Sequence, residues 1–195
     1  MKFYDEIKSA ILHRLESGLP DVLSYHSVGH TKDVQKQAER IALAENVHST
    51  EEIFLLKIAC LFHDTGFLFT YSKHEEMGCQ IADEILPAYG LTPKEMKIIK
   101  GLIMATCIPQ TPLSPLEEII CDADLDYLGR DDFFSISKKL FKELLAMNFV
   151  KTEDEWNRIQ VKFFKQHSYF TQTNKDLRTP KKLEHLKVIE ASLNT

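Results

Sequence analysis

Ile-Ala-Cys-Leu-Phe-His-Asp-Thr-Gly, residues 58–66, is the stretch around which this chain is organised. An apolar run carries one His-Asp pair, His63 and Asp64, and then breaks at Gly66. Adjacent side chains on a helix diverge by about 100°, but a helix that ends here lets the chain turn both groups toward one ion. Because a buried imidazole and carboxylate are costly to desolvate without a partner, the stretch predicts a divalent cation with further ligands from other segments.

Length and composition indicate a soluble globular protein with a substantial core. The chain has 195 residues, of which 44% are apolar and 27% charged, and its net charge is −5. This acidic balance argues against a nucleic-acid-binding surface over the whole molecule. No apolar run approaches the roughly 20 residues that span a bilayer, and the N-terminus lacks the apolar segment of a signal peptide.

The four cysteines form no C-x-x-C pair, and each lies among apolar residues. This pattern predicts free thiols in a reducing compartment. We therefore expect a cytoplasmic protein with no nucleic-acid partner and no membrane association. The sequence favours no particular oligomeric state.

Five helix starts are marked by S/T-x-x-E capping boxes, in which the hydroxyl accepts from a backbone N–H and the glutamate reaches back. The boxes begin at Ser49, Ser72, Thr92, Ser114 and Thr152, and each leads into an apolar pattern of period 3.6. The predicted helices are 2–17, 28–46, 51–63, 73–88, 93–106, 115–128, 131–149, 153–167 and 180–193, with irregular segments at 107–114 and 168–179. No alternating strand pattern of useful length is present. The sequence therefore predicts an all-α, compact helical bundle that forms a single domain over residues 1–195.

Histidines and aspartates on other predicted helices supply candidate ligands. His26 and His30 are four residues apart, which places them on one helical face. His74 lies at a helix start, where the partial positive charge disfavours imidazolium and keeps a nitrogen lone pair available for a metal. Residues 121–129 carry three acids at alternate positions among apolar neighbours, and an inward carboxylate there needs a cation.

The ordered series of His, His-Asp, His and Asp resembles the HD-domain superfamily of metal-dependent phosphohydrolases. The stretch Tyr-His-Ser-Val-Gly-His-Thr-Lys-Asp-Val, residues 25–34, is also similar to the Y-H-x-x-x-H-x-x-x-V pattern of the cyclic-nucleotide phosphodiesterase branch. The resemblance implies an HD core at about residues 22–130, with C-terminal helices in 131–195 packed on it.

The resemblance also implies the ligands of one divalent metal. They are His30, His63, Asp64 and Asp124. Asp124 is preferred over Asp122 because the last ligand of the family usually follows Ala or Val and precedes Leu or a basic residue. Imidazoles combined with carboxylates suit Mn²⁺, Fe²⁺, Co²⁺, Ni²⁺ or Zn²⁺, and Mg²⁺ is possible although it prefers oxygen ligands.

Roles beyond metal binding follow from the same resemblance. His26 matches the position that gives a proton to the leaving group, and it forms the predicted catalytic pair with Asp64. His74 matches a histidine that holds a second metal in binuclear members, whereas Thr106 replaces a further histidine of those members. We therefore expect one tight metal, with His74 binding water or the substrate phosphate.

Two basic residues of the C-terminal third, Arg178 and Lys181, are predicted to offer charge to the substrate phosphate. The implied function is metal-dependent hydrolysis of a small phosphate ester, in particular a nucleotide, by activated water. One alternative is a cyclic-nucleotide or cyclic-dinucleotide phosphodiesterase, although Phe67 replaces the lysine of the cyclic-dinucleotide H-D-I-G-K pattern. Others are a two-iron oxygenase of the same fold, disfavoured by Thr106, and a non-catalytic binding module clipped by its metal.

Overall fold

The computed structural model describes residues 3–193, and within them it contains nine α-helices and no strand. The all-α prediction is confirmed, and only the first residue of the predicted helix 2–17 lies outside the described part of the chain. The helices are α1 (Tyr4–Gly18), α2 (Val28–Ala44), α3 (Thr50–Phe62), α4 (His74–Ile85), α5 (Pro93–Ala105), α6 (Pro115–Asp124), α7 (Phe133–Ala146), α8 (Glu153–Gln166) and α9 (Gln172–Ser192). Three 3₁₀ turns follow α3, α4 and α6, at Thr65–Leu68, Leu86–Tyr89 and Asp126–Gly129.

The N-cap hydrogen bond of the predicted capping boxes is present at four of the five sites, and the reciprocal bond from the backbone N–H to the glutamate is present at Thr92. Ser49, Thr92, Ser114 and Thr152 each accept a hydrogen bond from the backbone N–H of the glutamate three residues on. The prediction at Ser72 was wrong: α4 begins at His74, immediately after a Lys73 with a left-handed backbone at φ 58°. That turn separates Ser72 from the helix start, so His74 is the first residue of α4.

The last helix begins earlier than predicted. Helix 180–193 was expected to follow an irregular segment, but α9 spans Gln172–Ser192 with Pro180 inside it. Thr171 caps it by accepting from the Asn174 N–H, and Thr171 is itself held by the buried carboxylate of Asp122. This anchor is 49 residues away along the chain, so the local sequence pattern did not show where the helix starts.

Helix α3 forms the centre of the bundle. From Phe54 to Phe62 every residue but Lys57 is buried, as expected for a helix enclosed on all sides. Helices α1, α2, α5 and α6 pack around it. The enclosing layer explains why the end of α3, with His63 and Asp64, lies inside the protein.

A second group of buried apolar side chains joins the C-terminal helices to the 3₁₀ turn Asp126–Gly129. It includes Leu128, Phe133, Phe164 and Ile189. Gly129 lies directly against the backbone of Arg178 on α9, and a Cβ at this position would overlap the Arg178 carbonyl. This close approach places α9 beside the 3₁₀ turn that follows α6. Helix α8 packs on α9, and α7 packs on the same turn.

Candidate metal centre and the cavity beside it

Three helices bring one ligand atom each to a single point. His30 lies in the first turn of α2, His63 directly follows α3, and Asp124 ends α6. The His30 Nε2 atom lies 3.0 Å from Asp124 Oδ1 and 3.4 Å from His63 Nε2. The three ligand atoms all lie within 4.8 Å of one another, a geometry that a metal ion fits.

Asp64 adds a carboxylate to this group. Its Oδ2 lies 3.2 Å from His63 Nε2 and 3.4 Å from His30 Nε2. The chain leaves α3 at His63 and enters the 3₁₀ turn Thr65–Leu68, so the two adjacent side chains converge as the sequence predicts. The Oδ2 atom is buried and has no hydrogen-bond partner. A buried acceptor in this condition is costly, and a cation beside it would remove the cost.

The imidazole of His63 is oriented for ligation. Its Nδ1 lies 2.9 Å from the Cys60 carbonyl, so the Nδ1–H donates there and the Nε2 lone pair faces the cluster. Burial disfavours the imidazolium, but without a cation the neighbouring Asp64 carboxylate outweighs burial and raises the pKa of His63 to about 9, so a metal binding here would displace the proton from Nε2. The buried acceptor of Asp64, the oriented imidazole and the mixed N/O donor set fit a divalent transition metal.

His74 lies on the opposite side of Asp64. Its Nε2 is 3.5 Å from Asp64 Oδ1 and 3.4 Å from Glu75 Oε1. Burial lowers the pKa of His74, which favours the neutral ring. Gly66 permits this position, because a Cβ there would overlap the backbone of His74.

Two acidic residues at the site were missed by sequence reasoning. Glu75 was interpreted as the capping glutamate of Ser72, yet its side chain is buried beside His74. Glu143 on α7 is fully buried, and its carboxylate contacts the Nδ1 atom of His26. No local signal marks Glu143, since it is 117 residues from His26 along the chain.

Glu143 is held by several donors at once. The backbone amides of Tyr25 and His26 donate to Oε2 at 3.0 and 3.1 Å, and the Tyr71 hydroxyl donates to Oε1 at 3.1 Å. Burial alone would raise the pKa of Glu143, but the hydrogen bonds from His26 and the two amides keep it below its usual range. The Nδ1 atom of His26 is therefore committed to a carboxylate, which leaves its Nε2 for other contacts.

The ring of Phe67 contacts both His26 and His74, whose own ring centroids are 6.3 Å apart. Phe67 stacks on both, with ring centroids 4.1 Å from His26 and 4.0 Å from His74. Both histidines line a cavity of about 460 Å³, together with Asp64 and Asp124. The rest of its wall comes chiefly from α7, α8 and residues 125–128, and is mostly apolar.

The other acids near Asp124 have structural partners. Asp122 accepts from the backbone N–H groups of Phe170 and Thr171, both at 2.9 Å. Asp126 pairs with Arg40 at 2.7 Å and with Arg178 at 2.9 Å. Of the three acids, Asp124 alone lines the cavity and approaches the imidazoles.

Arg178 and Lys181 do not lie at the site. Arg178 is paired with the buried Asp126, and Lys181 pairs at the surface with Asp131 at 3.1 Å and with Glu184 at 3.4 Å. Neither residue lines the cavity. The predicted role of these two cations in phosphate binding is therefore not supported, because α9 starts earlier than expected and packs Arg178 inward.

Thr106 lines the cavity and is buried. Its hydroxyl donates to the Ile103 carbonyl at 2.8 Å. The sequence-based expectation that Thr106 offers only a weak ligand for a second metal stays a prediction.

Comparison with known proteins gives a family and a fold relative. The model of the HD domain matches residues 27–126. A solved structure of a predicted HD superfamily hydrolase from an uncultured Thermotogales bacterium is similar with a TM-score of 0.63 and 21% identity, covering 98% of this chain and 92% of the other. None of the curated proteins matches this chain.

Proposed function

Because the chain belongs to the HD-domain family, we propose that it is a metal-dependent hydrolase that cleaves small phosphate esters. One observation supports the proposal most directly. The ligand atoms of His30, His63 and Asp124 lie close together, and the buried Oδ2 of Asp64, which has no hydrogen-bond partner, approaches both imidazoles. A divalent cation at this point would satisfy the buried oxygen and take the imidazole nitrogens as ligands.

His30, His63, Asp64 and Asp124 would hold one divalent metal. Such an ion supplies Lewis-acid activation of water and of the phosphoryl group. The protein supplies an orienting contact: the Cys60 carbonyl fixes the His63 ring through its Nδ1–H. This contact keeps the ligand atom aimed at the cluster, as the outer partners of ligating histidines generally do.

The pair His26–Glu143 suits the transfer of a proton to the leaving oxygen. Glu143 holds the Nδ1 atom of His26, so Nε2 is the nitrogen that remains to pass a proton to a leaving oxygen in the cavity. Phe67 fixes the plane of the ring by stacking. These contacts support a general-acid role for His26, with Glu143 as its positioning residue.

His74 is suited to contact the substrate phosphate or a water molecule. Its ring is neutral, partly exposed to the cavity and close to Asp64. A neutral imidazole donates one hydrogen bond without adding a charge. The expectation of a nucleotide substrate stays a prediction that the following panel tests. The free thiols of all four cysteines are consistent with the proposed cytoplasmic location.

A substrate panel tests the proposed function. Chelated protein is reloaded with Mn²⁺, Co²⁺, Ni²⁺ or Mg²⁺ and assayed with p-nitrophenyl phosphate, bis-p-nitrophenyl phosphate, alkyl phosphates, nucleoside monophosphates and cyclic nucleotides. We expect phosphate ester hydrolysis that requires added metal and disappears in His63→Ala. The control is His48→Ala, which removes an exposed histidine away from the cavity and should leave activity unchanged. A wild-type protein that holds its metal and hydrolyses no member of the panel would establish a binding module instead.

A further inference from the structure

The cavity beside the metal centre has both polar and apolar lining residues. The polar ones at the metal centre include Asp64, Asp124, His26 and His74. Much of the remaining wall is formed by large apolar side chains of the 3₁₀ turn and of α7 and α8, among them Leu128, Phe133, Leu140, Leu144, Ile159 and Phe163. A volume of about 460 Å³ lies within the range of small-molecule sites, and it exceeds what a phosphate group alone needs.

The polar groups within the apolar wall are already hydrogen-bonded to one another. The Ser137 hydroxyl donates to Gln160 Oε1 at 2.6 Å, and Trp156 Nε1 donates to the Ser137 oxygen at 3.3 Å. Gln160 Nε2 donates to Asn157 at 2.9 Å. The wall therefore offers apolar surface to a ligand, because its amide and indole groups are already hydrogen-bonded within the protein. Such a wall does not suit a ligand rich in hydroxyl groups or one with a nucleobase.

The charge around the cavity is unfavourable for several phosphates. Among the described residues that line it, Lys73 is the one lysine or arginine, and its ammonium already pairs with Glu76 at 3.1 Å. Glu75, which lies beside His74, adds negative charge to the cavity lining. One phosphate held at the metal centre is compatible with this field, whereas a polyphosphate chain would face acids without a basic clamp.

We propose that the substrate is a monophosphate ester of an apolar alcohol, whose hydrocarbon part lies between α7 and α8. This inference rests on the proposed function and names its substrate class. Water attacks phosphorus, the bond from phosphorus to the alcohol oxygen breaks, and that oxygen takes a proton. The products are inorganic phosphate and an apolar alcohol. This substrate class has a single phosphate and no polar base, and it competes with the nucleotide that the sequence predicts.

A homologous series of substrates tests the proposal at constant leaving-group chemistry. Ethyl, butyl, hexyl and octyl phosphate and a nucleoside 5′-monophosphate are all esters of primary alcohols. With metal-loaded protein, kcat/KM should rise by up to about fourfold per added methylene until the cavity is filled. The kcat/KM for the nucleoside monophosphate should be lower than that for hexyl phosphate, and the kcat/KM for the nucleoside triphosphate should be lower still. Equal rates along the alkyl series, or a preference for the nucleotide, would overturn the proposal.

A binding measurement keeps this test independent of turnover. Trp156 is the single tryptophan of the chain and lies in the apolar wall. Octylphosphonate, which cannot be hydrolysed, should shift its fluorescence and bind at least 100-fold more tightly than ethylphosphonate. If no ester is hydrolysed but this ratio holds, the hydrolase proposal fails and the ligand class stands. If esters are hydrolysed but the ratio is near one, the ligand class fails and the hydrolase stands.

A matched pair of variants locates the hydrocarbon. Ile159 on α8 lines the cavity and is 47% exposed, and Leu183 on α9 is 48% exposed but does not line it. Ile159→Gln should lower the ratio of kcat/KM for octyl phosphate to that for ethyl phosphate about tenfold, whereas Leu183→Gln should leave it unchanged. An unchanged ratio in Ile159→Gln, with folding verified by circular dichroism, would contradict the assignment of the hydrocarbon to this wall.

Discussion

At the scale of single residues, the chemistry depends on contacts that fix ring orientation. His26 presents one nitrogen to the cavity because Glu143 holds the other, and His63 does so because the Cys60 carbonyl holds its Nδ1–H. The ligand series could be predicted because it follows a family pattern in the sequence. Glu143 could not be predicted, because no sequence pattern around it marks it. Its burial and its contact with His26, 117 residues earlier, become visible only in the folded chain.

The general-acid role of His26 predicts a dependence on the leaving group. His26→Ala should lower kcat for an alkyl phosphate by about 10²–10⁴-fold, because the alkoxide then leaves without a proton. The loss should be much smaller for p-nitrophenyl phosphate, whose leaving group needs little protonation. Metal content, measured by elemental analysis, should not change. Equal losses for both esters would show that His26 only binds or positions the substrate.

The role of Glu143 predicts non-additive effects. Glu143→Gln keeps the side-chain volume but removes the carboxylate that pairs with His26, and it should lower kcat for alkyl phosphates roughly tenfold or more. The double variant with His26→Ala should lose no more than His26→Ala alone, since Glu143 acts through that ring. Rate losses that multiply in the double variant would mean that Glu143 acts elsewhere.

At the scale of helices, local sequence patterns predicted most helix starts correctly. The start of α9, which was predicted wrongly, depends on a contact with a distant residue. Ser49, Thr92, Ser114 and Thr152 cap as expected because the hydroxyl and the backbone N–H that donates to it are three residues apart. The start of α9 depends on the contact of Thr171 with Asp122, 49 residues earlier in the chain, so the local pattern placed this start too late. The same early start explains why Arg178 pairs with Asp126 and not with a substrate.

The approach of α4 to the turn after α3 predicts a strict requirement for glycine. Gly66→Ala places a Cβ onto the backbone of His74 and should lower the free energy of unfolding by about 1–3 kcal/mol in urea. It should also weaken metal binding, because Asp64 and His74 move apart. Gly29→Ala is the control: it lies in α2 with space for a methyl group and should be neutral or stabilising. Wild-type stability in Gly66→Ala would contradict this packing.

The burial of Lys182 on α9 predicts a pH-dependent stability. Its ammonium contacts the Nδ1 atom and carbonyl of His167, and burial lowers the pKa of Lys182 from 10.5 to about 8. The unfolded chain then binds the extra proton between pH 8 and about 10.5, so the cost of the buried charge is present below pH 8 and is lost above it. Relative to Lys182→Met, the wild type should gain stability as pH rises through this window. Parallel urea midpoints for the two proteins from pH 7 to 10 would contradict the shift.

At the scale of the molecule, the central position of α3 explains the whole site. The helix is enclosed by α1, α2, α5 and α6, so its polar end lies inside the protein and meets ligands from α2 and α6. The apolar period of the sequence predicted this bundle, because burial of continuous helical faces decides the fold class. The apolar cavity was not predictable, since its wall combines helices whose relative packing no local pattern specifies.

In the described part of the chain, no helix is long and apolar enough to cross a bilayer.

Hydrolysis of p-nitrophenyl phosphate during stepwise return of Mn²⁺ to chelated protein tests the central claim most directly. We predict no turnover before addition, a linear rise, and a plateau at one equivalent per chain, because Thr106 offers no second imidazole. His63→Ala should stay inactive throughout the titration. Turnover that persists in the chelated protein, or that is absent at every metal concentration, would contradict a metal-dependent hydrolase at this site.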